Sequence, residues 1–402
     1  MAAWGVSCRL FLFNFIRGIY WKVILECLTN QFFKHAIMVL SVPESTLLFF
    51  RAALLNWYAR SHRPLPWKGI TDPYLIWLSE IILQQTRVEQ GLPYFERFQA
   101  VYPDVHALAA APEDDIMKMW EGLGYYSRAR NMHATAKYIA HELGGEFPST
   151  YEQIQALRGV GPYTAAAIAS FAFDLPHAVL DGNVFRVLAR FLGIDVPTDS
   201  TTGKKIFQSL AQEALDSLQP GRYNQAIMDF GATLCTPQQP RCSACPLQVQ
   251  CVAYQQDRID QLPVKSKSLK KKIRYFHYLV VQTDTQTLLH KRTNKDIWQN
   301  LHEFPLIELT SVTTDWQTLS SMPLWTQLFG TTEVQLTGQR HFKQVLTHQI
   351  IHATFWEIAA PDSVLVHQTD FVVTDRKNLR KFAFPKIIDW YLQDDSLYLN
   401  LL

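Results

Sequence analysis

Two carboxylates stand where their surroundings change what they can do. Glu80 sits in Tyr74-Leu-Ile-Trp-Leu-Ser-Glu80-Ile-Ile-Leu-Gln-Gln85, with Ile76, Trp77, Leu83 and Gln84 around it at helical spacing. A carboxylate on a mainly apolar face loses hydration when ionised, so its pKa should rise and it can carry a proton near neutral pH. A shifted helix register would instead leave Glu80 in solvent. Asp181 lies just before a helical run, Gly182-Asn183-Val-Phe-Arg-Val-Leu, where Asp is most often an N-cap. An N-cap can still face a cleft, and its charge can stabilise a cationic transition state. An acid and an anionic partner in unlike environments are what glycosidic bond cleavage through an oxocarbenium-like centre calls for.

A second cluster is made of thiols. Cys235-x6-Cys242-x2-Cys245-x5-Cys251 puts four cysteines within 17 residues, with Pro237, Pro240 and Pro246 compacting the loop. Soft thiolates favour zinc or an iron–sulfur cluster over calcium or magnesium. Zinc ribbons typically use two separated C-x-x-C pairs. Here one such pair is flanked by longer gaps, so a cubane cluster wrapped by one loop is preferred, with zinc and a chance group of buried thiols as the alternatives. The thiols are not spaced like the framework of a small disulfide-stapled secreted domain, and a reduced compartment fits them better.

Leu157-Arg158-Gly159-Val160-Gly161-Pro162-Tyr163-Thr164 joins two helical stretches. The glycines permit a tight hairpin, and Pro162 suits the first turn of the helix that follows. Outward backbone N–H groups and the positive end of that helix can hold an anion such as a DNA phosphate without reading sequence. A plain interhelical turn is the competing explanation.

These residues need elements to hold them. At 402 residues the chain calls for at least two cores, and 48% hydrophobic content excludes a largely disordered chain. With 38 Lys plus Arg against 36 Asp plus Glu, a nucleic-acid partner would need its charge gathered on one face. Residues 44–234 read as almost wholly helical, broken at Asp72-Pro73, Tyr102-Pro103, Ala111-Pro112 and Phe147-Pro148. A cysteine loop over 235–257 and a connector over 258–272 follow; across 258–274 seven basic residues face one acidic. Such a run is usually a solvated connector, though beside a DNA site it can touch phosphate. From 273 to 402 the pattern predicts an α+β domain opening on a hairpin that turns at Thr283-Asp284-Thr285. The apolar extension over 1–43 carries Arg9, Arg17, Lys22, Glu26 and Lys34, too many charges for a membrane span of about 20 residues. It lacks a clear secretory cleavage site, and translation starting at Met38 is an alternative to an amphipathic targeting segment.

In order and spacing, the Leu157-x-Gly-Val-Gly hairpin, Leu180-Asp181-Gly-Asn-Val and the cysteine loop resemble the helix-hairpin-helix DNA glycosylases related to endonuclease III. Arg63-Pro-Leu-Pro-Trp67, Trp77-Leu-Ser-Glu80-Ile-Ile-Leu-Gln-Gln85-Thr, Gly122-Leu-Gly-Tyr125-Tyr-Ser-Arg-Ala-Arg and Asn224-Gln-Ala-Ile-Met-Asp229 narrow the resemblance to the adenine DNA glycosylase (MutY) branch. The resemblance implies an all-α helix-hairpin-helix domain with one [4Fe-4S] cluster on Cys235, Cys242, Cys245 and Cys251, followed by an α+β Nudix-like domain. It implies a monomeric, cytoplasmic enzyme, DNA-associated and with no membrane partner, that flips adenine out of duplex DNA and hydrolyses its N-glycosidic bond opposite 8-oxoguanine or guanine. Glu80 matches the general acid and Asp181 the carboxylate that stabilises or transiently bonds the sugar carbon. Arg63, Leu65, Trp67, Gln225 and Asn183 match substrate-binding positions. Gln85 and Tyr125 match residues that wedge the DNA open, and Gly159, Val160 and Gly161 match the phosphate-binding hairpin. For Tyr125 a core aromatic is the alternative reading.

Tyr163 stands where bifunctional relatives carry a Schiff-base lysine, so the resemblance implies base hydrolysis without efficient strand cleavage. In the Nudix-like part, Trp298–Pro305 lacks a glycine-led Glu-rich helix, which argues against pyrophosphate hydrolysis. Leu346-Thr347-His348 corresponds to the family's Phe-Ser-His lesion-reading loop with Leu in place of Phe, and His341 or His352 are alternative readers. An oxidised-pyrimidine glycosylase with lyase activity and a non-catalytic DNA-damage binding protein are the competing functions.

Overall fold

The computed structural model describes residues 42–394 except 62, 267–269, 314 and 367; the apolar extension and Met38 fall outside the described residues. The helical half runs α1 (Glu44–Ser61), α2 (Pro73–Leu83), α3 (Val88–Val101), α4 (Val105–Ala110), α5 (Glu113–Met119), α6 (Ser127–Glu142), α7 (Tyr151–Gln155), α8 (Pro162–Phe173), α9 (Gly182–Leu192), α10 (Thr201–Ala214) and α11 (Pro220–Thr233). The expected breaks fall at helix boundaries for local reasons. Asp72 caps α2, accepting from the Tyr74 and Leu75 amides, and Pro73 fills the first position where a missing N–H costs nothing. Tyr102 ends α3 and Pro112 precedes α5.

Two cores divide the helices. One gathers α2, α3, α6 and the inner face of α8; the other packs α1, α9, α10 and α11 against the opposite face of α8. Residues Ala165 to Ala169 serve both, because small side chains let helices close in on either side. The site-bearing α2 is buried almost all round, a pattern that marks a helix surrounded by protein.

After the cysteine loop and the short α12 (Val252–Gln255), a seven-stranded mixed sheet forms from β1 (Lys272–Gln282), β2 (Gln286–Lys291), β3 (His302–Glu303), β4 (Leu306–Leu309), β5 (Gln335–Val345), β6 (Gln349–Ala359) and β7 (Val372–Asp375). Its spine is β3-β2-β1-β6-β5, with β4 on β1 and β7 on β2. Strands β1 and β6 run parallel from Lys272↔Gln349 to Gln282↔Ala359. The predicted hairpin is present, closed by Thr283 N donating to Gln286 O (3.0 Å). Over Trp298–Pro305 the chain turns at Trp298 (φ 61°) and Asn300 (φ 67°) and then pairs as β3, so no helix occupies that stretch. Helices α13 (Trp316–Ser320), α14 (Pro323–Phe329) and α15 (Lys386–Gln393) complete this half.

The halves are joined. Phe276, Tyr278, Phe304, Phe384 and Ile388 belong to the same buried cluster as Trp77 and Ile139. Across the seam Lys118 Nζ donates to Phe382 O (2.9 Å), Phe384 N to Glu121 Oε1 (2.8 Å) and Arg130 Nη1 to Gln299 O (2.7 Å). Among the described residues no helix is long and apolar enough to cross a membrane.

Candidate active site

Glu80 lies in the last two turns of α2 and is 5% exposed, so the solvent-facing register is excluded. Burial raises its pKa from the ordinary 4.5 to about 7; the nearby Tyr163 hydroxyl opposes the rise, and the charge of Asp181 adds to it. The three groups therefore face one another. Tyr163 occupies the first turn of α8, and burial together with the two carboxylates lifts its hydroxyl well above the usual phenol range. It stays a neutral donor.

Asp181 caps α9. Its Oδ1 accepts from the Asn183 and Val184 amides (2.9 and 2.8 Å), and its Oδ2 from Asn183 Nδ2 (2.7 Å). Burial raises its pKa, while those donors and the Arg186 charge pull it back. The segment that delivers Asp181 is tied down by Asn224, which accepts from Val179 N (3.2 Å) and donates to His177 O (2.8 Å) and Ser170 Oγ (2.9 Å). Glu80, whose burial is opposed only by the Tyr163 hydroxyl, and Asp181, held by several donors, have the unlike environments that separate an acid from an anion.

Arg63, Leu65 and Gln225 line one hollow of about 660 Å³ together with Tyr58, Lys68 and Arg222. Tyr58 Oη donates to Gln225 Oε1 (2.8 Å), and Lys68 pairs with buried Asp229. Gln225 and Met228 lie three apart on α11, and Tyr163 Oη approaches Met228 Sδ at 3.9 Å, so one helix face spans the hollow and the carboxylate pair. Trp67 is not in this lining. It is buried in the first core, edge-on to Phe95 at 5.1 Å. Asn183 touches Asp181 and Arg186.

Gln85 and Tyr125 are exposed and both adopt left-handed backbone (φ 57° and 48°), which removes the core-aromatic reading of Tyr125. In the hairpin, Gly159 needs its glycine: φ is 82°, and a Cβ would lie 2.8 Å from that of Asn131. Gly161 does not, for its φ is −89° and nothing crowds it. Val160 is buried between them. Helix α8 has no side-chain cap hydrogen bond, so no capping side chain takes up its first amides.

Thr347 Oγ1 hydrogen-bonds Tyr125 Oη across the seam. Leu346, Thr347 and His348 line a hollow of about 510 Å³ with Tyr125, Tyr126 and Trp298. His341 is engaged with Thr354 Oγ1 (3.0 Å), and His352 stacks on Tyr275.

The four loop cysteines are unpaired and half-buried; burial, and to a lesser extent the neighbouring thiols, raises the pKa of Cys242, Cys245 and Cys251, and pushes Cys245 up to about 12. Arg190 Nη1 reaches Cys235 Sγ (3.5 Å), and Arg186 Nε donates to Cys235 O (2.7 Å). Among the described residues no three His, Cys, Asp or Glu side chains converge on a point where a single ion would sit. Sequence reasoning missed both arginines; their one signal is the four-residue spacing, which sets them on one face of α9.

Known proteins match this arrangement. Residues 78–212 match the HhH-GPD superfamily base excision DNA repair protein family, and residues 277–394 match the NUDIX domain. An adenine DNA glycosylase of Buchnera aphidicola subsp. Baizongia pistaciae is 38% identical over 267 residues, covering 65% of this chain and 74% of that protein. The adenine DNA glycosylase of Mus musculus is 44% identical over 222 residues, covering 53% and 43%. A thermostable thymine-DNA glycosylase superposes with a TM-score of 0.50 at 27% identity, covering 53% of this chain and 98% of its own. With a buried acid, a capped anion and a glycine hairpin joined by a shared fold and by this level of identity, the chain belongs to the adenine DNA glycosylase family.

Proposed function

We propose that the chain hydrolyses the N-glycosidic bond of adenine in double-stranded DNA where adenine is mispaired with 8-oxoguanine or guanine, acting as a cytoplasmic, DNA-associated monomer. The observation that carries this reading is the pair of carboxylates: Glu80 pushed up to about 7 by burial, with the charge of an Asp181 that is held by three hydrogen bonds from Asn183 and Val184 acting on it. An adenine extruded from the stack meets the carboxylic acid of Glu80, which transfers its proton to a ring nitrogen and makes the base a neutral leaving group. As the bond from nitrogen to sugar carbon breaks, positive charge grows on the sugar, and the Asp181 carboxylate stabilises it. The Glu80 carboxylate then takes a proton from water, whose oxygen bonds the sugar carbon, and the acid is restored. Tyr163 sets its hydroxyl near Glu80 and has no amine for Schiff-base chemistry, which supports hydrolysis over strand cleavage.

Arg63, Leu65 and Gln225 fit a base-holding role in their common hollow, while Trp67 and Asn183 fit supporting ones. Gln85 and Tyr125 fit as wedges, the Gly159-Val160-Gly161 turn as a phosphate cradle, and Thr347 and His348 as contacts to the partner base. Cys235, Cys242, Cys245 and Cys251 fit a [4Fe-4S] cluster in their chemistry: four unpaired soft donors lie within one short loop. When bound, such a cluster supplies a covalent staple for the loop and an electron-transfer centre. Unpaired thiols also suit a reduced compartment.

The test is a duplex carrying a single adenine opposite 8-oxoguanine. Abasic product after alkaline work-up is expected, and Glu80→Gln should lower its rate by ~10²–10⁴-fold while leaving DNA binding largely intact. High-yield borohydride trapping of a protein–DNA adduct would point instead to a lyase, and tight binding without turnover to a damage-binding protein.

A further inference from the structure

Arg128 opens α6 and is buried. Its Nη1 donates to the carbonyls of Ile81 (3.0 Å) and Ile82 (2.7 Å), at the end of the helix that carries Glu80. Its Nη2 donates to Thr86 Oγ1 (3.2 Å), Leu123 O (3.4 Å) and Gly124 O (3.1 Å). Those contacts flank Gln85 on one side and precede Tyr125 on the other. The guanidinium also lies over the rings of Trp120 (5.0 Å) and Tyr125 (5.7 Å).

Among the described residues no carboxylate is paired with this cation, although burial lowers its pKa to about 10. What balances it is the negative end of α2, whose last carbonyls have no intrahelical donor. Gln85 and Tyr125 are both non-glycine residues at positive φ, a conformation that persists only where neighbours impose it. One side chain is bonded to the Thr86 hydroxyl beside Gln85 and to the Gly124 carbonyl beside Tyr125.

We infer that Arg128 is a positioning residue: its forked donors hold the turns of Gln85 and Tyr125 in fixed register with the Glu80 helix, so that opening the DNA stack and presenting adenine to the acid are mechanically one event. The inference rests on the wedge and acid roles proposed above. A lysine keeps the charge but offers donors from a single nitrogen, and it cannot span both turns.

The experiment compares single-turnover excision from two DNAs, one with adenine opposite 8-oxoguanine in a stacked duplex and one with adenine in an unpaired bulge. Arg128→Lys should lose ~10-fold or more on the stacked duplex, in line with the cost of small misplacements. On the bulge, where less unstacking is required, it should stay within ~3-fold of the parent. Thr86→Val, which deletes one acceptor with little change of shape, should show the same contrast at smaller amplitude and serves if Arg128→Lys does not fold. Parallel losses on both DNAs, or no loss on either, would overturn the positioning role alone. A parent protein inert on both would overturn the adenine reading and this inference with it.

Discussion

Glu80 and Asp181 show how one fold makes two carboxylates behave differently. Glu80 has burial and a single phenol, so its proton is retained to about pH 7. Asp181 is half-buried; burial raises its pKa, but the donors around it oppose that rise and favour its anion. Excision should therefore rise at low pH as Asp181 ionises and fall through about pH 7 as Glu80 loses its proton; a single-turnover pH series checks both limbs. Stability follows the same linkage. Because the folded pKa of Glu80 is raised, the folded state binds more protons than the unfolded one between 4.5 and about 7, and stability declines as pH rises through that window. Glu80→Gln removes the buried charge and should be more stable than the parent at pH 8 by about 1–3 kcal/mol, with the difference closing toward pH 4.5 in denaturant titrations.

The elements around these residues are set by close approach and buried arginines. Helix α11 meets the start of α9 at Gly231, where a Cβ would lie 2.6 Å from that of Asn183. Gly231→Ala should force the helices apart, costing about 1–3 kcal/mol, and should slow excision by moving Asp181. Thermal unfolding and single-turnover rates measure the two effects separately. Much of this was legible in the sequence. The Pro breaks fall at helix ends, and the apolar surroundings of Glu80 announced its burial. Arg128, Arg186 and Arg190 were not, because each has a shortest bond to a carbonyl some forty or more positions away. In a sequence such residues look like solvated surface charge. Strand β1 was legible as an arm of the hairpin, but the fate of its two faces was not: Phe276, Tyr278 and Val280 enter one core while Leu279 and Val281 enter another, so its two-residue period separates two interiors rather than core from water. Trp67 was expected beside the base, but its side chain fills space against Phe95. Spacing alone does not distinguish a lining aromatic from the packing behind it.

At the scale of the whole molecule, the sheet half brings Thr347 to the exposed Tyr125 of the helical half. The contact is anchored by the Lys118, Glu121 and Arg130 bonds along the seam. Thr347→Val keeps the shape and deletes the hydroxyl. It should reduce discrimination between 8-oxoguanine and guanine partners by ~3–10-fold, the worth of about one hydrogen bond, while changing excision opposite guanine little. Paired rate measurements on the two duplexes decide this.

The parallel ladder between β1 and β6 has a bearing on biosynthesis. Lys272 pairs with Gln349, and Lys272 N donates to His348 O (2.9 Å). Residues roughly eighty positions apart must therefore meet before the sheet can close, and such distant pairings form slowly. As the polypeptide leaves the ribosome, the helices and the thiol loop are complete long before β6 emerges. The helical half that carries Glu80 and Asp181 can thus mature first, and the sheet half, for which contact with the partner base is proposed, is the last to acquire its shape.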